Sequence, residues 1–367
     1  MTERTLLMIP GPIEFEPSVL RALGEKTRGH LDPVFMKAFS RSITRLREIF
    51  AAPTAQPFVV AGSGTLAMEM AVANLIQPGD KALVVNTGYF SDRIGAMCER
   101  HGASVVHARA TPGSVASLDE VEKALSSSGP FKVMTITHVD TSTAVLAPVK
   151  ELAALGKNHG ALVVVDGVCS VGGEALELDA WGVDVAFTAS QKALGAPPGL
   201  AVLLAGPKAM AAWKARTKPV ASMYLDFAEW LPIHEAYEAE KPSYFATPPV
   251  NLITALDVSL GHLVEEGMAA RIARHERIAA EFHAALAGLG LSHLPHASCR
   301  AHTLSAVLYP NGVDATLVGK IIKQGVTVAG GLHPELKTKY FRVGHMGAVT
   351  MNDLSAVTAA IKRALAG

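Results

Sequence analysis

The chain has 367 residues, with 33 basic and 33 acidic side chains, so its formal charge at neutral pH is zero. This balance gives no electrostatic reason to expect binding to nucleic acid or to an anionic membrane. A hydrophobic content of 49% and a charged content of 18% are typical of a compact protein with a large core, and the length indicates more than one domain.

The cysteines and the N-terminus bear on the cellular compartment. Three cysteines are too few for a disulfide framework and indicate a reducing environment. The N-terminal residues resemble neither a signal peptide nor a transit peptide, and no apolar stretch is long enough to span a bilayer. We therefore expect a cytoplasmic protein with no membrane partner.

Seven short apolar runs alternate with helical patterns in the first part of the chain. The runs are 58–60, 82–85, 104–108, 132–137, 161–165, 183–188 and 200–204, and the helical patterns are 65–75, 90–100, 118–125 and 148–159. Continuous apolar strands separated by helices predict an α/β fold with a mostly parallel, seven-stranded sheet covered on both faces. Ligands of such sheets bind beyond the carboxyl ends of the strands.

The composition changes after about residue 206. A proline- and aromatic-rich stretch at 224–249 precedes an amphipathic helical region at about 252–289, and the remainder alternates short strands with helices. We therefore predict a large domain at 1–250 and a smaller α+β domain at 251–367.

Two residues at the ends of predicted strands point to a cofactor. Lys192 follows the apolar run 183–189, and Asp166 directly follows the run 161–165. A lysine amine can condense with the aldehyde of pyridoxal 5′-phosphate (PLP), and an aspartate can pair with its ring nitrogen. A lysine after a strand is more often a solvated charge, so this interpretation depends on the rest of the site.

Three further segments follow predicted strands. The loop 62–65 contains two glycines before a helix, where backbone N–H groups bind phosphate, although an ordinary strand-to-helix turn has the same pattern. Phe90 could stack on a pyridine ring or pack on the sheet. The segment 138–143 offers Asp, Ser and Thr side chains, which orient a ligand or form a turn.

The order of phosphate loop, aromatic residue, Thr/Ser loop, aspartate and lysine is the layout of fold-type I PLP enzymes. In detail the chain resembles the class V aminotransferases, and within them the alanine–glyoxylate aminotransferases of the fungal type. The similarity covers nearly the whole chain and rests on the segments 10–12, 61–65, 137–143, 165–170, 188–193, 244–249 and 341–347.

The resemblance implies a role for each residue that matches a family motif. Lys192 and Asp166 would be the catalytic residues. Arg342 would bind the substrate carboxylate, which a guanidinium fits with two parallel donors, and the loop of Gly11 would close over the substrate. The residues expected to bind the cofactor are Ser63, Gly64, Thr65, Phe90, Ser142, Asp166, Gln191, Lys192, Tyr244 and Thr247.

Within that set, Ser63, Gly64, Thr65 and Gln191 would bind the phosphate, and Phe90 would stack on the ring. Ser142 would lie near the ring hydroxyl. Tyr244 and Thr247 match residues that reach the phosphate of the neighbouring subunit, so the resemblance implies a homodimer.

The implied activity is the transfer of the amino group of L-alanine to glyoxylate, which gives pyruvate and glycine and would serve glycine biosynthesis. It would follow a ping-pong mechanism that alternates pyridoxal and pyridoxamine phosphate. Serine–glyoxylate, serine–pyruvate and aminoethylphosphonate–pyruvate transamination remain alternatives. We could place no second carboxylate-binding arginine, which suits a small donor such as alanine.

Other interpretations have less support. A cysteine desulfurase-like lyase needs an exposed nucleophilic cysteine, for which only Cys299 lies in a suitable loop. A non-catalytic binding protein would not need Lys192 and Asp166. The spacing of His293, His296 and His302 fits no standard metal motif, so we expect no metal. His138 could lie near the cofactor or pack at a strand end, and Cys169 is expected to be buried.

Overall fold

The computed structural model describes residues 5–366. Its strands are β1 (Leu6–Leu7), β2 (Gln56–Ala61), β3 (Lys81–Asn86), β4 (Ser104–Arg109), β5 (Val133–Thr137), β6 (Val139–Asp140), β7 (Val145–Leu146), β8 (Leu162–Asp166), β9 (Val185–Ala189), β10 (Leu200–Ala205), β11 (Leu304–Leu308), β12 (Val326–Thr327), β13 (Ala329–Gly330) and β14 (Tyr340–Gly344).

The helices lie between and after these strands. They are α1 (Pro17–Leu23), α2 (Pro33–Ile49), α3 (Gly64–Leu75), α4 (Tyr89–Arg100), α5 (Leu118–Ser128), α6 (Val149–Asn158), α7 (Leu178–Trp181), α8 (Pro207–Lys214), α9 (Phe227–Glu238), α10 (Val250–Glu266), α11 (Met268–Gly288), α12 (Thr316–Lys323) and α13 (Met351–Ala366), with 3₁₀ turns at Met223–Leu225 and Ala297–Cys299.

The central sheet has seven strands in the order β2-β10-β9-β8-β5-β3-β4. β10 is antiparallel to both of its neighbours, and the remaining pairs are parallel. The predicted α/β fold with a mostly parallel, seven-stranded sheet is confirmed. All seven predicted runs form its strands. Six of them are mostly apolar and mostly buried, whereas β4 at the edge of the sheet is partly exposed.

Alternate residues of each strand enter two separate cores, one on each face of the sheet. In β8, Val163 and Val165 pack with α2, α6 and α10, whereas Val164 on the opposite face packs with α3, α4 and α9. The side-chain period of two residues explains this division. The two layers of helices hold the sheet rigidly, so loops at its edge start from fixed positions.

The C-terminal part has its own core and a three-stranded sheet of order β11-β14-β13. Its core also receives Met8, because β1 at the start of the chain pairs with β12. The amphipathic region predicted at 252–289 forms two helices, α10 and α11, separated at Gly267. Since α10 packs on α2 in the large core, the proposed boundary after residue 250 stays a prediction.

Among residues 5–366, none of the helices combines the length and the apolar composition needed to cross a bilayer.

Candidate active site

One edge of the sheet collects the candidate residues. The strands β2, β9, β8, β5 and β3 run in the same direction, because β10 is antiparallel to both β2 and β9. The loops that follow their carboxyl ends therefore lie side by side. At or just beyond these strand ends lie, in the same order, Ser63, Lys192, Asp166, Ser142 and Phe90.

Lys192 lies in the loop after β9, and its side chain is only 9% exposed. Its Nζ donates a hydrogen bond to the carbonyl of Pro10, which brings the N-terminal segment over the amine. Gly11 has φ of +98°, and a Cβ at this position would lie 2.5 Å from Cδ of Lys192. The positive φ favours glycine here, and the absence of a side chain lets the predicted substrate loop lie directly against the lysine.

Asp166 ends β8 and is buried. Oδ1 accepts a hydrogen bond from the N–H of Val168 at 3.0 Å, and the carboxyl forms no ion pair within the described part of the chain. Burial raises the pKa of Asp166 to about 7, despite the opposing effects of this hydrogen bond and of the nearby charge of Lys192. A cation beside this carboxyl, such as a protonated pyridine nitrogen, would lower its pKa again.

The loop after β2 leads directly into α3, whose first residue is Gly64. The N-cap residue Ser63 makes no side-chain hydrogen bond to the first turn, and Ser63 and Thr65 are exposed in the isolated chain. A Cβ at Gly64 would lie 3.0 Å from Val168 and 3.3 Å from Ala189. The glycine therefore allows α3 to begin close to the strand ends, with its N–H groups available to an anion.

Gln191 adds to the groups that lack partners at this edge. Its Oε1 is buried and accepts no hydrogen bond from the described residues. A buried, unpaired amide costs free energy unless a ligand satisfies it. Oε1 is an acceptor and needs a donor, which a phosphate oxygen does not provide, so the predicted contact of Gln191 with the cofactor phosphate stays a prediction.

Asp140 supports the opposite side of the site. Oδ2 accepts hydrogen bonds from the backbone N–H groups of Phe90 at 3.2 Å and Ser91 at 3.4 Å, and so caps α4. Oδ1 accepts from N of Ser142 at 2.9 Å and from its Oγ at 2.6 Å. Oγ of Ser142 in turn accepts from N of Tyr89 at 3.0 Å. One buried carboxylate thus fixes both Phe90 and Ser142.

The hydroxyl of Ser142 is therefore already used inside the protein. It donates to Asp140 and accepts from Tyr89, so its predicted place near the ring hydroxyl stays a prediction. The carbonyl of Ser142 accepts a hydrogen bond from the hydroxyl of Tyr340, which also accepts from the N–H of His333 at 2.9 Å. Tyr340 joins the C-terminal sheet to this loop.

Arg342 is two residues further along the same strand, β14. Its Nε donates to the carbonyl of Gly330 at 2.9 Å, and Nη1 donates to the carbonyl of Thr141 at 3.2 Å. No carboxylate of residues 5–366 forms an ion pair with it, and burial lowers the pKa of its guanidinium. Two neutral carbonyls orient the guanidinium and leave its charge for a ligand.

Tyr244 and Thr247 lie apart from the other candidates. Tyr244 is 61% exposed, and its hydroxyl lies 3.4 Å from the hydroxyl of Thr247. No hydrogen bond in the described chain joins either residue to the phosphate loop. This placement is consistent with a role in another subunit, and that role stays a prediction.

Sequence reasoning missed Arg93 and Tyr340, and it considered Asp140 only as one of the polar residues of 138–143 that could orient a ligand or form a turn. Arg93 donates a hydrogen bond from Nη1 to Oγ1 of Thr65 at 3.1 Å and from Nη2 to the hydroxyl of Tyr89 at 2.8 Å. A helical spacing of four between Tyr89 and Arg93 was the available signal, since such residues share a helix face. The contacts of Asp140 and Tyr340 join distant segments and had no local signal.

The residues considered for other chemistry are not arranged for it. Cys299 and Cys169 are buried, and burial raises the pKa of the Cys299 thiol, which does not suit the exposed nucleophile of a desulfurase. Burial lowers the pKa of His138 to about 3, and its Nδ1 is buried without a hydrogen bond. No group of three or more His, Cys, Asp or Glu residues within 5–366 is arranged to hold a metal ion.

Comparison with known proteins gives a consistent result. The Aminotransferase class-V family matches residues 19–356. The chain is 40% identical to alanine–glyoxylate aminotransferase 1 of Saccharomyces cerevisiae over 94% of this chain and 93% of the yeast protein. It is 33% identical to L-aspartate–glyoxylate aminotransferase of Paracoccus denitrificans over 95% and 88% of the two chains. The crystal structure of alanine–glyoxylate aminotransferase from Nostoc sp. has a TM-score of 0.93 and 34% identity, and the match covers 100% of this chain and 96% of that one.

The fold and the site define the class of protein. A buried lysine and a buried carboxyl at the ends of adjacent strands and a helix N-terminus without a side-chain cap fit PLP, which carries an aldehyde, a ring nitrogen and a phosphate. The chain belongs to the class-V aminotransferase family and is therefore a PLP-dependent aminotransferase. The sequence predictions of family, fold, enzyme class and cofactor are confirmed.

Proposed function

We propose that this aminotransferase moves the amino group of L-alanine to glyoxylate and forms pyruvate and glycine. The observation that carries the proposal is Arg342, a guanidinium held by two backbone carbonyls and free of ion pairs with the described residues. It provides one binding site for one carboxylate. Alanine and glyoxylate each carry a single carboxylate.

The other guanidinium groups near this edge have partners inside the protein. Arg109 forms an ion pair with Asp92, at 2.6 Å between Nη2 and Oδ1. Arg93 forms no ion pair with the described residues, and its hydrogen bonds to Thr65 and Tyr89 place it at the predicted phosphate loop. A donor with a second carboxylate therefore has no evident second guanidinium, which favours a small monocarboxylic donor.

The predicted roles form a consistent sequence of steps. When bound, PLP supplies an electrophilic aldehyde carbon and a ring that accepts electrons from Cα. Nζ of Lys192 would hold the cofactor through its aldehyde carbon and, once freed by the amino donor, would serve as the base for the Cα proton. Asp166 keeps the proton on the ring nitrogen, and Arg342 holds the carboxylate so that the Cα–H bond is aligned for transfer. The segment of Gly11 lies over Lys192 and limits access of water.

The relatives differ in the donors that their names give. The yeast and Nostoc proteins are named for alanine, and the Paracoccus protein is named for L-aspartate. The higher identity to the yeast protein supports alanine. Serine–glyoxylate and serine–pyruvate transamination remain the alternatives, since serine also has one carboxylate.

Visible absorption of the purified protein with PLP tests the proposal. We expect the cofactor band to bleach on addition of L-alanine and to return on addition of glyoxylate, with glycine detected by chromatography. L-Serine, L-aspartate and aminoethylphosphonate are compared at equal concentration, and kcat/KM is expected to be highest for alanine. A band that ignores alanine but responds to another donor would reject alanine and keep the family.

We also propose a homodimer with cofactor contacts from both subunits. The support is the exposed position of Tyr244 and Thr247, away from the phosphate loop of their own chain. Sedimentation of the holoenzyme tests this proposal, and a stable monomer with full activity would contradict it. The cytoplasmic location remains a prediction from the sequence.

A further inference from the structure

Arg93 lies beside the loop that precedes α3. Its guanidinium donates to the hydroxyl of Thr65 at 3.1 Å, and Thr65 is part of the predicted phosphate loop. The guanidinium carbon also lies 4.9 Å from the ring centre of Tyr89 and 5.1 Å from that of Phe90. Arg93 thus touches both the phosphate loop and the aromatic residue predicted to stack on the cofactor ring.

No acidic side chain of the described residues forms an ion pair with Arg93, and its charge acts on Asp166 only at longer range, where it opposes the rise in the pKa of that carboxyl. Its neighbour in sequence, Asp92, pairs instead with Arg109 at the end of β4, at 2.6 Å. No ion pair of Arg93 occurs among residues 5–366, and its side-chain hydrogen bonds there are to two hydroxyl groups. A partly buried guanidinium with only neutral partners is a site for an anion.

The other groups of the phosphate site are neutral. Ser63, Gly64 and Thr65 offer hydroxyl and N–H groups, and Gln191 offers an amide. The positive end of the α3 dipole adds only about half a charge, whereas a phosphate ester carries between one and two negative charges at neutral pH. Hydrogen-bond donors without a full cation would leave part of that charge unbalanced.

We propose that Arg93 is the cation that binds the phosphate of the cofactor, with its guanidinium held in place by Thr65 and the ring of Tyr89. The proposal requires only that the enzyme binds PLP, so it does not depend on the identity of the amino donor. The contact with Phe90 has a further consequence. Arg93 packs beneath the stacking aromatic and so couples the position of the phosphate to that of the ring.

The test compares the affinity of the apoenzyme for PLP and for pyridoxal, which lacks the phosphate. Both dissociation constants are measured by absorbance titration of the full-length protein. Arg93→Met keeps most of the side-chain volume and removes the charge. We expect the Kd for PLP to rise about 10- to 100-fold and the Kd for pyridoxal to change less than about threefold.

The matched control is Arg100→Met, at the exposed C-terminal end of the same helix, for which both constants should stay at wild-type values. Arg93→Lys keeps the charge but lacks the planar guanidinium. It is the alternative test variant if Arg93→Met does not fold. We expect it to weaken PLP binding about 3- to 10-fold, again without weakening pyridoxal.

Two results would overturn the proposal. Equal losses for PLP and pyridoxal would show that Arg93 merely supports Tyr89 and Phe90. Unchanged PLP affinity in both variants would show that the phosphate does not use this cation. Neither result would affect the assignment of alanine, which is measured by donor kinetics on the holoenzyme.

Discussion

The two sides of the site differ in how their polar groups are paired. Around Asp140, the buried carboxylate, the N-terminus of α4 and Ser142 satisfy one another through hydrogen bonds of 2.6–3.4 Å. Across the site, Asp166 and Arg342 form no ion pair in the described chain, and Oε1 of Gln191 accepts no hydrogen bond there.

This difference distinguishes the residues that support the site from those expected to contact the cofactor and the substrate. Polar groups that are fully paired within the protein hold positions and gain little from a ligand, whereas buried groups left unpaired cost free energy until a ligand satisfies them. These unpaired groups therefore lower the free energy of unfolding, and they lie on the side where the cofactor and substrate are expected to bind. Substitutions around Asp140 should mainly lower stability, whereas substitutions of the groups on the other side should mainly change turnover, ligand binding or the pH dependence of stability.

The largest effect is expected for Lys192→Ala. Loss of the amine removes both the attachment of the cofactor and the proposed base, so turnover should fall about 10,000-fold or more. Single-turnover transfer from the preferred donor measures this, and Lys123→Ala on the exposed face of α5 is the control. A variant with near-wild-type turnover would remove Lys192 from the mechanism.

The next effect concerns Asp166 in the apoenzyme. Burial raises its pKa to about 7 from an ordinary 3.8, so its contribution to stability is present below about pH 4 and is lost as the pH rises through 7. Asp166→Asn has no ionisable group at this position, so it should not lose stability in this way as the pH rises. We expect apo Asp166→Asn to be more stable than apo wild type at pH 8, by up to about 4 kcal/mol, and the gap to shrink towards pH 5.

Thermal unfolding of both apoproteins between pH 5 and 9 measures this gap. Asp119→Asn, an exposed residue in the first turn of α5, is the control and should show no such trend. Parallel Tm curves for apo wild type and apo Asp166→Asn would mean that the carboxyl finds a partner in solution. Bound PLP should reverse the order, because the ring nitrogen then pairs with the carboxylate.

A smaller effect is expected for Arg342→Lys. Lysine keeps the charge but loses the planar fork, so kcat/KM for the amino donor should fall about 10- to 100-fold, with PLP affinity unchanged. Steady-state kinetics together with PLP titration separate these effects. Arg363→Lys on the exposed face of α13 is the control. Loss of PLP affinity without loss of donor affinity would assign Arg342 to cofactor binding.

The smallest effect on chemistry, and a clear effect on stability, is expected for Asp140→Ala. It leaves the N–H groups of Phe90, Ser91 and Ser142 without their acceptor, which should lower the free energy of unfolding by about 2 kcal/mol. Asp32→Ala, which removes the exposed cap of α2, is the matched control and should cost about 1 kcal/mol. Denaturant unfolding of both variants tests the comparison, and equal losses would deny Asp140 its wider supporting role.

Much of the fold follows from local sequence pattern. The seven apolar runs became the seven strands because most of them are buried on both faces of the sheet, where apolar residues are favoured along the whole strand. The proline- and aromatic-rich stretch gave no such pattern, yet it contains α9. Trp230, Ile233 and Tyr237 pack into the cores, and their burial outweighs the cost of Pro232 inside the helix.

The sequence by itself determined the strand order along the chain, the family and the candidates Lys192 and Asp166, because strand ends and their residues are local properties. Only the tertiary structure decided that Asp140 supports Phe90, that Arg93 meets Thr65 and that β1 pairs with β12. These contacts join segments far apart in the chain. Whether a buried polar group is paired depends on such neighbours, which periodicity and motif spacing do not specify.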